Sequence, residues 1–138
     1  MGVAFNKITV GSEWDRKELA DLWGYQSFHA FGRGVFTPQN DNKIVLFVKE
    51  QKRVEDEQYD DRLIGNLLHW HGEKGHGADH RIAQAHQCGD EIHVFYRPSH
   101  REPFRYLGRA RSKRAEFLSN EPSRFVLELL DWPKQQPS

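Results

Sequence analysis

The chain has 138 residues, 37% hydrophobic and 29% charged, a balance that fits one soluble domain and excludes a disordered polyelectrolyte. Its 20 basic and 20 acidic residues cancel, which argues against the pervasively basic character of a histone-like or ribosomal protein. The single cysteine, Cys88, excludes an internal disulfide, and no apolar run or amino-terminal pattern reads as a membrane span or signal peptide, so the expected location is the cytoplasm.

In chain order, "NKITVG" reads as a first strand ended by Gly11. Ser12 followed by Asp15 predicts a capping pair for a helix over about Asp15 to Trp23, with Leu19, Leu22 and Trp23 as its apolar stripe and Gly24 as its left-handed end. "SFHAFGRG" (27–34) has the content of a short helical turn, and "PQNDN" that of a tight turn. "KIVLFVKE" (43–50) is the clearest buried strand, and "NLLHWHG" (66–72) reads as extended. "ADHRIAQAHQCG" (78–89) predicts a helix with Ile82 and Ala85 on its apolar side, closed by Gly89. Three strand-like stretches follow, at 91–97, 104–114 and 123–130. Residues 1–132 are expected to form one domain, with 133–138 a frayed tail. Consecutive strands in the second half favour an α+β fold: a curled antiparallel sheet or half-open β-barrel with two or three short helices.

Charge is unevenly spread. Acidic residues gather in "KEQKRVEDEQYDDR" (49–62), whereas residues 97–114 carry seven Arg and Lys together with His100 against one acid, Glu102. That asymmetry suits either a phosphate-facing surface or a solvated hairpin. Residues 69–93 hold six of the eight histidines. Structural zinc wants four ligands and catalytic zinc three with an open position. These histidines are instead spread over a strand, a Gly-rich loop, a helix and a second strand, and no His-Glu-x-x-His, Cys-x-x-Cys or phosphate-binding glycine motif occurs. No metal, cofactor or catalytic residue is therefore expected, and the chain is expected not to be an enzyme.

"WDRKELADLWGY", "GVFTPQNDNKIVLFVKEQK", "YDDRLIGNLLHWHG", "GDEIHVFYR" and "PFRYLGR", in that order, resemble a domain of unknown function at the C-terminus of bacterial DEAD/DEAH-box helicase proteins. Those proteins often carry a phospholipase-D-type nuclease domain and look like restriction or defence systems. The resemblance covers residues 14 to about 130. It departs at 69–73, where "HWHGE" replaces the family's "HWQSQ", and these 138 residues carry no helicase or nuclease motif of their own. It implies a DNA-directed accessory module with a helicase or nuclease effector in cis or trans and no membrane partner.

Small curled-sheet domains similar to the SRA and PUA-like families read modified DNA by extruding a base into an aromatic pocket. The residues suited to such a pocket here are Trp23, Tyr25, Tyr59, Asp61, Trp70, His69 and His71, with Asp61 as the carboxylate that accepts from an exocyclic amine. Arg33, Arg81, Arg97, Arg101, Arg105 and Arg109 are the phosphate candidates, and strand parity places Arg105 and Arg109 on one face. The expected function is recognition of modified DNA, cytosine modification favoured, in a restriction or defence system. Three alternatives stand beside it: a helix-turn-helix over 16–35, a protein-interaction module, and a metal enzyme built on the histidines.

Overall fold

"KIVLFVK" forms β3 (Lys43–Lys49), and its five central residues are all buried, as expected of a strand covered on both faces. In this computed structural model, which describes residues 4–26, 34–38, 41–49, 62–72, 78–99, 101–118 and 123–132, β3 lies beside β6 (Glu91–Arg97). The two run parallel and in register, from Lys43 opposite Glu91 to Lys49 opposite Arg97. A parallel pair needs a long crossover, and the intervening chain holds β4 (Arg62–Ile64), β5 (Leu67–His71) and α2 (Asp79–Cys88). The sheet order is β2 (Val35–Phe36), β3, β6, β7 (Phe104–Glu116), β8 (Arg124–Leu129), β5, β4. A short β1 (Glu13–Trp14) pairs with the start of β7, and every pairing except β3 with β6 is antiparallel.

The thirteen-residue β7 carries the curl, because its first half pairs with β6 and its second half with β8. Alternation then sends side chains to two cores. The inner one joins Ile44, Leu46 and Val48 of β3 to Ile92 and Val94 of β6, Leu68 and Trp70 of β5, and Phe125 and Leu127 of β8, with Ile82 and Ala85 of α2 added. The outer one joins Val45, Phe47, Phe95, Phe104 and Tyr106 to Ile8 and to Leu19, Ala20 and Trp23 of α1 (Arg16–Trp23). The result is an open, mixed eight-stranded sheet with two helices among the described residues, the α+β half-open barrel expected, with one parallel pair in place of a wholly antiparallel sheet.

Other expectations need correction. "NKITVG" is not a strand: Phe5 and Ile8 pack into the outer core as a strap, and Trp23 Nε1–H donates to the Ala4 carbonyl at 3.0 Å. The α1 cap is Asp15, whose carboxylate accepts the Glu18 N–H at 2.7 Å while Glu18 accepts the Asp15 N–H at 3.0 Å. Ser12 is held elsewhere, its hydroxyl taking the Trp14 Nε1–H at 2.9 Å and its carbonyl the Tyr106 N–H at 2.9 Å. Gly24 and Gly89 end the two helices at φ 79° and 80°, as read from sequence. The helical turn expected over 27–34, on which a second recognition helix depends, lies outside the described residues apart from Gly34, as does the tail 133–138.

Candidate nucleic-acid interface

The inner face is not covered along its whole length. Where the sheet stays open, a cleft of about 360 Å³ lies between β4, the β6–β7 turn and the segment after β8. Leu63, Tyr96, Leu107 and Trp132 give it an apolar and aromatic lining, Pro98 and Pro103 bound it at the turn, and Glu13, Glu102 and Arg105 supply the polar groups. Its size falls in the range of roughly 300–1,000 Å³ usual for small-molecule sites. An aromatic slot with acceptors near its edge can stack a planar heterocycle and take hydrogen bonds from an amino group.

Two glycines position this lining. Gly108, at φ +87°, sits where Val94 faces Gly108 but Phe95 faces Tyr106, so Leu107 is the extra residue of a β-bulge. A Cβ at Gly108 would fall 2.6 Å from the Asp131 Cβ, so only glycine lets Asp131 come in. Asp131 accepts the Arg109 N–H at 2.9 Å and its Nε–H at 3.3 Å. Burial alone would raise the Asp131 pKa, but these Arg109 bonds outweigh it and hold the carboxyl low. The next residue, Trp132, is thereby set against the inner core and beside Gly11.

A second recess, of about 260 Å³, lies across the β6–β7 turn and is lined by Asp15, Arg16, Lys17, Arg97, Pro103 and Phe104. The guanidinium of Arg97 sits 4.2 Å from the Phe104 ring centroid, and that of Arg16 lies 5.0 Å from the same ring and 5.1 Å from Phe47. Burial, and then the charge of Arg97, push the Arg16 pKa below its ordinary value; burial does the same to Arg97.

The residues proposed from sequence are dispersed. Trp23 and Trp70 are each about 5% exposed, at 6% and 5%, but belong to different cores, and Trp70 packs on Phe125 at 5.5 Å. Tyr25 lies edge-on to Phe36 at 5.9 Å, on the outer side with Trp23. His69 and His71 flank Trp70 on β5 and are half-buried. The glycine of "HWHG", Gly72, passes so near Asp79 that a Cβ would fall 2.8 Å from its Oδ1. Tyr59, Asp61 and Arg33 lie outside the described residues; the chain resumes at β4, whose Leu63 lines the cleft.

The phosphate candidates separate as well. Arg81 is bound to Asp90 at 3.0 Å and to the Asp41 carbonyl, and Arg101 is exposed in the turn. Arg105 meets Glu13 at 3.2 Å in the cleft, whereas Arg109 lies opposite His93 and meets Asp131 at 3.3 Å. The bulge at Gly108 breaks the parity that would have put these two arginines on one face. The stretch 97–114 is consequently divided between both faces, with Arg111 paired to Glu128 at 2.9 Å.

Sequence reasoning missed Glu13, Tyr96, Trp132 and Arg16. For Tyr96 a signal existed, since it continues the inward series Ile92, Val94 one residue before its strand ends at Arg97.

The histidines do not converge. His80 stacks on Phe117 at 4.7 Å, and His93 is buried, parallel to Phe5 at 3.7 Å. Glu91 only accepts, so the proton of His93 sits on Nε2, 3.0 Å from Glu91, and Nδ1 accepts the Tyr106 hydroxyl at 2.6 Å. Burial lowers the His93 pKa against the opposing pull of Glu91. Among the described residues, no three His, Cys, Asp or Glu side chains gather as a metal site would require.

No family model and no curated protein matches the sequence. Solved structures do. The SRA domain of SUVH5 in complex with hemimethylated CG DNA is similar at a TM-score of 0.64 and 15% identity, over 100% of this chain and 99% of that one. The DNA modification-dependent restriction endonuclease AspBHI gives 0.56 and 14%, over 94% of this chain and 44% of that one. The DNA recognition domain of the cytosine modification-dependent restriction endonuclease LpnPI gives 0.52 and 12%, over 90% and 72%. At these identities the likeness is one of fold, and the fold is SRA-like.

Proposed function

We propose that this chain is a non-catalytic reader of modified cytosine in duplex DNA, taking the base, extruded from the helix, into the cleft between β4 and the β6–β7 turn. The observation that carries the reading is the cleft itself: an aromatic-lined slot of about 360 Å³, ample for a single nucleobase, left open in a fold shared with the SRA domain crystallised with methylated DNA. Tyr96 and Trp132 are the stacking walls, worth roughly 1–3 kcal/mol per stacked base. Asp61, two positions before Leu63 in the sequence, is the candidate reader of the exocyclic amine, and Tyr59 a further candidate for stacking. His69, opposite Arg62 of β4, and His71 at the end of β5 are donors toward the DNA backbone. A reader of this kind supplies recognition, and cleavage or strand separation comes from a helicase or nuclease partner, in cis or in trans, within a restriction or defence system.

The test is competition binding among otherwise identical duplexes carrying cytosine, 5-methylcytosine, 5-hydroxymethylcytosine or N6-methyladenine. A preference for a modified cytosine that disappears in Asp61→Ala with folding intact is the expected result. Equal affinity for all four duplexes would sink the reading. A rise in the fluorescence of 2-aminopurine placed beside the modified base reports extrusion; an unchanged signal on binding would remove the flipping step.

A further inference from the structure

We infer that the recess of Arg16, Lys17 and Arg97 around Phe104 is an oxyanion site for the phosphate of the nucleotide whose base enters the cleft. The identity of the ligand rests on the base-reading proposal, while the site's geometry stands apart from it.

Three observations converge. The first is an unanswered donor. Among the described residues, Arg16 Nε is buried and meets no hydrogen-bond acceptor, a rare condition for a polar atom of a folded protein. Asp15 lines the same recess, but its carboxylate is engaged as the cap of α1 by the Glu18 N–H at 2.7 Å.

The second is the gathering of like charge. Two guanidiniums approach one ring, at 4.2 and 5.0 Å from its centroid, and Lys17 adds a third cation. Stacking on Phe104 holds the planar forks in place, and planar forks are the groups best matched to a phosphate's oxygens. A monoanionic backbone phosphate would offset both the burial and the neighbouring charge of Arg97 that now hold the Arg16 pKa down.

The third is placement. Pro103 lines both the cleft and the recess, so one turn separates them. On either side of that turn, neighbouring residues point to opposite sides. Tyr96 faces the cleft and Arg97 the recess, then Phe104 faces the recess and Arg105 the cleft. An extruded nucleotide has the same form, a base on one side of its sugar and a phosphate on the other. With the base between Tyr96 and Trp132, the backbone crosses the rim at Pro103 and leaves the phosphate between Arg16 and Arg97.

The experiment measures the salt dependence of binding to a plain duplex, with Arg16→Gln, Arg97→Gln and the double variant. Each single change is expected to weaken plain and modified duplexes alike and to flatten the slope of log K against log salt by about 0.9, the value of one phosphate. Because both arginines serve one phosphate, the double variant loses about 0.9 as well, not twice that. Unchanged slopes would overturn the proposal, and so would a double variant that loses the equivalent of two phosphates. A second measurement needs no variant: the Arg16 Nε–H resonance of the intact protein is followed on adding inorganic phosphate or the plain duplex. A shift with phosphate marks a general oxyanion site, a shift with duplex alone marks one formed for the DNA backbone, and no shift with either overturns the inference. Equal affinity for plain and modified duplexes, with the slope still flattened in Arg16→Gln, removes the base reading and leaves the phosphate site standing.

Discussion

Phe95 and Tyr96 are consecutive residues of β6 in opposite circumstances. Phe95 faces the outer core, where Phe5, Trp23, Phe47 and Tyr106 surround it and nothing of it meets solvent. Tyr96 faces the inner side at the point where the sheet does not close, and it lines a cleft. The crowding of rings is therefore greater where no ligand can enter. Aromatic density marks packing in this protein, and an aromatic surface left uncovered marks the candidate site.

The contrast is tested most strongly at Phe95. Phe95→Ala should lower stability by about 3–5 kcal/mol in urea unfolding, because a fully enclosed ring leaves a cavity that its neighbours cannot fill. A loss below about 1 kcal/mol would mean that the outer cluster is not the closed core described. Gly108→Ala comes next, at about 2–3 kcal/mol, from a left-handed backbone combined with the contact against Asp131. It should also weaken DNA binding, since Asp131 sets Trp132; binding at wild-type strength would disconnect the bulge from the cleft.

Tyr96→Ala and Trp132→Ala should invert this pattern. Each is expected to change the unfolding midpoint little and to lower affinity for the preferred duplex by about 10-fold, in line with roughly 1–3 kcal/mol per stacked base. Loss of stability without loss of affinity would return both rings to the core. The smallest effect concerns pH. His93 has a folded pKa below its ordinary value of 6.5, so its stabilising contribution is present above that pH and is lost as pH falls from it toward the folded pKa. Tm should therefore decline more steeply between pH 7 and about 5.5 in the wild type than in His93→Gln. Parallel declines would show that His93 carries no part of the acid sensitivity.

Much of the scaffold was legible in the sequence because local periodicity determines it. The buried run of β3, the glycine-ended helices and the strand-like content of β6, β7 and β8 all follow from residues within one element. The parallel pairing of β3 with β6 was not legible, since it depends on a crossover of about forty residues, from Lys49 to Glu91. The strap at Phe5 and Ile8 has strand-like composition but finds no strand partner, and its place is set by Trp23 and His93 far along the chain. Of the site, alternation within an unbroken strand could be read, but the shift of face at the bulge and the end of the sheet left uncovered could not. "YLGRA" did carry a warning: a glycine inside a strand pattern often marks a bulge, and here it separates Arg105 from Arg109.

Both walls of the cleft's open end are held by long-range partners of β7. Glu13 meets Arg105 across 92 positions, and Asp131 reaches back 22 positions to Arg109. Contacts at such separation form late, after local pairings have already reduced the entropy of closing the loop. During synthesis, moreover, Trp132 leaves the ribosome after every strand of the sheet. The slot thus comes into existence only when the rest of the domain has folded, and a chain stalled or misassembled at any earlier stage lacks it.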